Sequence, residues 1–440
     1  MNTRSLFLRK LRNGLLSAFI LWACGMAAPP ASAQIPLHPD VPEAVGVNIH
    51  FTTPRPGEMR MLASTGVRWI RMDFTWESTE RQKGQYDFAA YDGLMAALEA
   101  HRIRAIFILD YGNPLYDRGL APYSEEGRQA FARWAAAAVR HFRGKGILWE
   151  MWNEPNGEFW KPESNVSNYA KLALATGKAI READANATFI GPAVAGAGPK
   201  VLPFLEACFK AGMLKYWSAV SVHPYRHADP ETAAPDYRAL RQLIAEYAPP
   251  GKHIPVIAGE WGYTVASKWN GTDRMQALFL AREWLTDLSN SIPVSIWYDW
   301  HDDGPDPHNT EHHFGLVRFP YHPGRRPVYT PKPAYRAART LAHMLAGYRF
   351  EKRLQLGQPD DYALVFRRGQ AVRLAVWTTS SSPHTAAIPA RTAGFSIISY
   401  DGKNAGFRSP AKGEISVTLS DAPQYLVPGR VPASQLGQSW

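Results

Sequence analysis

The chain has 440 residues, of which 45% are hydrophobic, 12% aromatic and 20% charged. That is the composition of a globular protein, not of a disordered, collagenous or coiled-coil one, and the length suits one large barrel with a small companion domain. Two cysteines exclude a disulfide scaffold and a cysteine-built metal site. The formal net charge of +10 comes without a Lys/Arg-rich run or a nucleic-acid motif, so no nucleic-acid partner is expected.

Residues 1–33 read as a secretory signal peptide. Arg4, Arg9, Lys10 and Arg12 make a positive start, Leu15 to Met26 is apolar, and Ala31, Ser32 and Ala33 form a small-residue cleavage site before Gln34. Lipidation at Cys24 and a retained anchor remain open alternatives. Each reading exports the body of the chain, periplasmic or secreted, and leaves room for association with the inner membrane or an export system. Loss of the four leader cations brings the net charge from +10 to +6. The other cysteine, Cys208, reads as a small buried hydrophobe.

From residue 34 to 348 the chain alternates short apolar runs with helical patterns. Strands are expected at 45–51, 67–76, 103–112, 147–156, 188–196, 218–226, 255–263 and 294–303. Near-continuous apolar runs suit parallel strands covered on both faces. Helices are expected at 91–102, 125–142, 168–183, 273–290 and 334–348. Eight strand–helix units predict an α/β fold, the (β/α)8 TIM barrel. A doubly wound sheet would show a glycine-rich first turn, and none is present. Over 349–440 the texture changes to short strand-like runs at 361–369, 371–379, 394–402 and 414–427, punctuated by Gly, Pro, Asn and Asp. They predict a small antiparallel β-sandwich domain.

In a parallel barrel the reacting groups stand at the C-terminal ends of the strands. The fourth strand ends in Asn153, Glu154, Pro155 and Asn156, and the seventh ends in Glu260. Both glutamates sit in apolar, aromatic surroundings, where an unpaired carboxylate is costly to bury. Two carboxylates facing each other across a barrel mouth are what glycosidic cleavage needs, one to protonate the leaving oxygen and one to attack or to activate water.

"WNEPN" at strand four followed by "GEW" at strand seven resembles clan A of the glycoside hydrolases, which are retaining (β/α)8 enzymes. Within it, residues 149–160 and 296–316 resemble family thirty-nine and, more narrowly, the PslG-type endoglycosidases encoded with bacterial exopolysaccharide biosynthesis. The resemblance implies Glu154 as general acid/base, Glu260 as nucleophile and Asn153 as partner of the sugar 2-hydroxyl. It further implies Arg71 as the cation holding the nucleophile and Tyr225 as a donor to Glu260. His223 would line the acid/base side or the sugar site, and Trp297 would be the platform under the reacting sugar. His50 is a candidate substrate contact, and Trp152, Trp160, Trp261 and Trp300 are further candidate platforms. The polar stretch His301–His313 matches no metal-ligand spacing and reads as a substrate loop. No metal and no cofactor are expected.

The sequence therefore predicts an exported retaining glycoside hydrolase, endo-acting on a bacterial exopolysaccharide, with a polysaccharide or oligosaccharide as its partner. An exo-acting, β-xylosidase-like enzyme of the same clan and a catalytically silent polysaccharide binder in a synthesis complex are the alternatives.

Overall fold

The computed structural model describes residues 35–267, 271–390 and 392–432, so the expected leader at 1–33 lies outside the described residues. Among the described residues, no helix is long and apolar enough to cross a membrane.

Eight parallel strands close into a barrel in chain order: β1 Val45–Asn48, β2 Trp69–Thr75, β3 Arg104–Asp110, β4 Leu148–Met151, β5 Thr188–Ala195, β6 Val220–His223, β7 Val256–Trp261 and β8 Ser295–Trp297. Closure is made by β1 on β8, with Val45 opposite Ser295. Strand side chains alternate between two faces. The inward set near the strand starts is apolar: Trp69, Ile106, Leu148, Ile190, Ile257 and Ile296 pack as one cluster. The residues between them, such as Ile70, Phe107, Trp149 and Trp297, join the larger cluster under the helices. One step of two residues along, the inward set turns polar, with Arg71, Glu150 and Ser221 buried and in mutual contact. The apolar plug thus closes one end of the barrel and hands over to chemistry at the other.

The helices over 125–141, 166–183 and 273–289 begin where Ser124, Asn165 and Thr272 each accept a hydrogen bond from a first-turn backbone N–H. Such caps contribute about 1 kcal/mol each. The helices Glu58–Ala63, Leu202–Lys210 and Ala234–Tyr247 were not among the expected elements. The last two carry proline in their first turn, which propensity counts against a helix although the missing N–H is harmless there.

After β8, β9 Val317–Tyr321 and β10 Tyr329–Pro331 form a small antiparallel pair. The C-terminal region holds β11 Arg349–Arg353, β12 Asp361–Arg368, β13 Ala371–Thr378, β14 His384–Pro389, β15 Phe395–Ser399, β16 Asn404–Arg408, β17 Glu414–Leu419 and β18 Gln424–Pro428. A six-stranded sheet ordered β11-β12-β13-β18-β15-β16 faces the pair β14-β17. Ala363, Val376, Ile388, Ile397, Val417 and Leu426 fill the space between them. The four expected runs correspond to β12, β13, β15 and a β17–β18 pair interrupted at 420–423. The short β11, β14 and β16 are rich in charged, Pro, Asn and Gly residues and carry little alternating signal.

Buried Glu231, just after the sixth barrel strand, joins the sandwich to the barrel. Its carboxylate accepts from Arg282 Nε at 2.8 Å and Nη2 at 2.7 Å, and from Trp377 Nε1 on β13 at 2.6 Å. Arg282 also meets Asp229 Oδ2 at 2.7 Å, so loss of Glu231 leaves the guanidinium one carboxylate and leaves Trp377 Nε1 without its acceptor. Glu231→Ala is expected to cost about 2–3 kcal/mol in urea unfolding of the whole chain. A loss below about 1 kcal/mol would place this contact in the range of exposed ion pairs.

Candidate active site

The C-terminal mouth of the barrel opens as a cleft of about 560 Å³ lined by, among others, His50, Arg71, Asp73, Asn153, Glu154 and Glu260. Glu154 lies just past β4, where the chain leaves the strand with Trp152 at φ 66° and Glu154 at φ 46°. Left-handed backbone at such residues costs on the order of 1–3 kcal/mol each and persists only when neighbours enforce it. Here the Glu154 N–H donates to Ala193 O at 2.9 Å. Glu260 lies at the end of β7, where the pairing with β8 slips between Ala258 and Trp261. A bulge of this kind re-aims a side chain, and Glu260 turns into the cleft.

The two glutamates approach closely. One carboxylate oxygen from each, with a ring nitrogen of His223, lie within 4.8 Å of one another. Their surroundings differ. Glu260 Oε2 accepts from Arg71 Nη1 at 2.6 Å, and Oε1 accepts from Tyr225 OH at 2.9 Å. Among the described residues, no such cation contacts Glu154. Burial pushes its carboxyl up to about 7, against the pull of Arg71.

Arg71 organises the floor. It is fully buried and forms ion pairs with Glu150 and Glu260, not with Asp73 on its own strand. Its Nε donates to Glu150 Oε2 at 2.6 Å, and its Nη2 donates to Asn153 Oδ1 at 2.9 Å and faces His223 Nε2 at 3.2 Å. A guanidinium only donates, so His223 Nε2 accepts and the ring proton sits on Nδ1. That Nδ1–H points at Glu154 Oε1, 2.8 Å away. Burial drives the His223 imidazole down to about 4, so it is neutral near pH 7. With Oε1 already accepting, Oε2 of Glu154 is the oxygen free to carry a proton.

All of Glu154, Glu260, Asn153, Arg71, His223 and Tyr225 are thus brought together. His50 lies on the cleft rim, its Nε2 3.4 Å from Asp299 Oδ2. Burial pulls His50 down, but the charges of Asp299, Asp303 and Asp73 outweigh it and push it up to about 9.

Trp297 requires a correction. It is fully buried, donates from Nε1 to Phe314 O at 3.2 Å and does not line the cleft. Ile296 points into the barrel, so Trp297 must point out and Tyr298 points in again. The cleft aromatics are Tyr111, Phe159, Tyr225, Tyr298 and Phe314. Trp152, Trp160, Trp261 and Trp300 are likewise buried away from it.

Sequence reading missed Glu150, Ser221 and Tyr298. Glu150 is wholly buried, accepting from Arg71 on one oxygen and from Ser221 Oγ at 2.5 Å on the other. Gly259 makes room for this pair, because a Cβ there would stand 2.2 Å from Ser221 Oγ and 3.0 Å from Glu150 Oε1. Glu150 is two residues beyond the inward Leu148, so strand alternation alone could have found it.

A family model described as cellulase (glycosyl hydrolase family 5) matches residues 46–304. The structure of a family 39 glycoside hydrolase from the gut symbiont Bacteroides cellulosilyticus WH2 is similar with a TM-score of 0.75 and 26% identity, over 90% of this chain and 82% of that one. A family 39 enzyme from Xanthomonas axonopodis pv. citri gives 0.64 at 18% identity, over 88% and 94%. A monomeric β-xylosidase from Caulobacter crescentus CB15 gives 0.64 at 19%, over 88% and 96%. The last two, at such identity, share the fold alone. The clan A reading of the sequence and its likeness to family 39 stand with these matches.

Proposed function

The chain belongs to the cellulase family of glycoside hydrolases (glycosyl hydrolase family 5), and we propose that it cleaves its glycan with retention, using Glu154 and Glu260 in double displacement. Glu154 protonates the leaving oxygen. Glu260 attacks the anomeric carbon and forms a glycosyl ester. Water then enters on the same face, with Glu154 acting as base. Asn153, held by Arg71, is placed for the sugar 2-hydroxyl.

One observation carries this reading: the two carboxylates meet at one mouth, with oxygens within 4.8 Å, in opposite electrostatic settings. A retaining pair stands about 5–5.5 Å apart, whereas an inverting pair needs roughly 6.5–9.5 Å to admit a water. The contrast in setting fits a division of labour. The carboxyl raised by burial starts protonated, and the one bound by Arg71 and Tyr225 is held as an acceptor.

We further propose that the enzyme is exported and endo-acting on a bacterial exopolysaccharide. The leader-like residues 1–33 and the sequence resemblance support this, as does likeness in fold to a conserved exported protein from Bacteroides fragilis, TM-score 0.63 at 13% identity. Mass spectrometry of products from a panel of soluble and secreted polysaccharides tests it. Internal cleavage yields oligosaccharides of mixed length from the first time point. Release of single sugars or a single short unit from one end would favour the exo-acting, β-xylosidase-like alternative.

A further inference from the structure

Beside the catalytic pair stands a second group of side chains with no place in that reaction, of which His50 lines the cleft. His50 follows β1, Asp299 follows β8, and Asp303 comes from the polar stretch after it. One ligand atom from each lies within 4.8 Å of the other two. Asp299 is 1% exposed, and neither of its carboxylate oxygens accepts a hydrogen bond from the described residues. A buried carboxylate left in this state calls for a catalytic role, a water or an ion. Its ion-pair partner among the described residues is His50, at 3.4 Å. Charge-assisted contacts normally close to about 2.7–2.9 Å. Elsewhere in this mouth Arg71–Glu260 does so, at 2.6 Å. The His50–Asp299 pair is held open.

We infer that His50, Asp299 and Asp303 form a binding site for a divalent cation at the sugar-binding rim. An ion that binds here displaces the ring proton of His50, and the two carboxylates with the imidazole so freed carry a charge of −2, which one divalent ion balances. Ligand atoms around a tetrahedral zinc at about 2.0–2.2 Å stand roughly 3.4 Å apart, which is the spacing of the His50 and Asp299 atoms. One nitrogen with two carboxylates suits Zn2+ or Mn2+, whereas Mg2+ keeps most of its waters and prefers oxygen.

The surrounding chain fixes the ligands. The adjacent Asp302 is not one of them. It accepts from Lys332 Nζ at 2.8 Å and from Gly315 N at 3.0 Å, and so anchors the segment that carries Asp303. His50 packs edge-on against Tyr298, the cleft aromatic next to Asp299, at 5.6 Å between ring centres. Three protein ligands leave a coordination position open. Because His50 lines the cleft, we assign that position to an oxygen of the glycan. The ion thereby orders the rim and assists binding, while bond cleavage stays with the two glutamates.

The test is isothermal titration of Zn2+, Mn2+ and Ca2+ into chelator-treated whole chain, paired with thermal unfolding. Saturable binding of one Zn2+ or Mn2+ per chain is expected, with a rise in Tm. Asp303→Asn and His50→Gln should each weaken it at least tenfold and abolish the Tm rise. His308→Ala, on the exposed part of the same stretch, should bind as the native chain does. Absence of saturable binding, or equal binding by Asp303→Asn and His50→Gln, would overturn the proposal, the second result assigning the ion to surface histidines. A preference for Ca2+ over both other ions would contradict the donor-set argument.

Discussion

Glu260→Gln is expected to lower kcat/KM by at least about 10³ on every substrate the native enzyme cleaves, whatever its leaving group. The amide is nearly isosteric, its oxygen can still accept from Arg71 while its NH2 donates to the Tyr225 hydroxyl oxygen, and the cleft keeps its shape. It cannot form the glycosyl ester, and the covalent route closes. General acid assistance alone is worth about 10² to 10⁴, and nucleophilic participation adds to it. Circular dichroism and thermal unfolding should show a folded variant, because Arg71 retains Glu150, 2.6 Å away. If native chain and variant degrade polymer equally poorly, the chain is a binder and the assignment of Glu260 falls.

Glu154→Gln is expected to behave differently. On a polysaccharide, whose leaving group needs a proton, the loss should again be about 10² to 10⁴. On an aryl glycoside with an acidic phenol the first step needs little proton donation, so the loss should be much smaller at that step. The pH profile separates the roles further. Burial holds Glu154 at about 7, above the usual carboxylate range. It is protonated and competent below that value and ionised above it. Native kcat/KM on polymer should therefore fall as pH rises through about 7. His223 stays neutral through this range, its own value lying near 4, so it does not supply this limb. In Glu154→Gln the limb should vanish. A limb that survives in the variant would move the acid to another group.

The eight barrel strands were legible because parallel strands covered on both faces need unbroken apolar runs. The polar residues that end such runs named Glu154 and Glu260, and the likeness to clan A added Arg71, Tyr225 and His223 around them. What escaped depended on facing, which a run of aromatic residues does not reveal. Trp297 and Tyr298 both suit a sugar platform, and only the inward position of Ile296 decides between them. Glu150 was legible by the same alternation and was overlooked beside the stronger pair. Glu260 breaks the alternation, since Ile257 points inward and Glu260 reaches the cleft through the slip between Ala258 and Trp261. A bulge leaves no mark in composition. In the polar stretch after β8, sequence showed His and Asp without partners. Fold assigns Asp302 to Lys332 and brings Asp303 to His50, a residue some 250 positions away in the chain.

Two carboxylates that share one glycosidic bond at retaining distance must leave the anomeric configuration unchanged. Proton NMR of the anomeric region, recorded from the first turnovers on a cleaved oligosaccharide of defined linkage, addresses it most directly. The new reducing end is expected to appear first in the configuration of the bond that was cut and to drift only later to the mutarotated mixture. First appearance of the opposite anomer would mean a single displacement by water, and the roles given to Glu154 and Glu260 would not survive it.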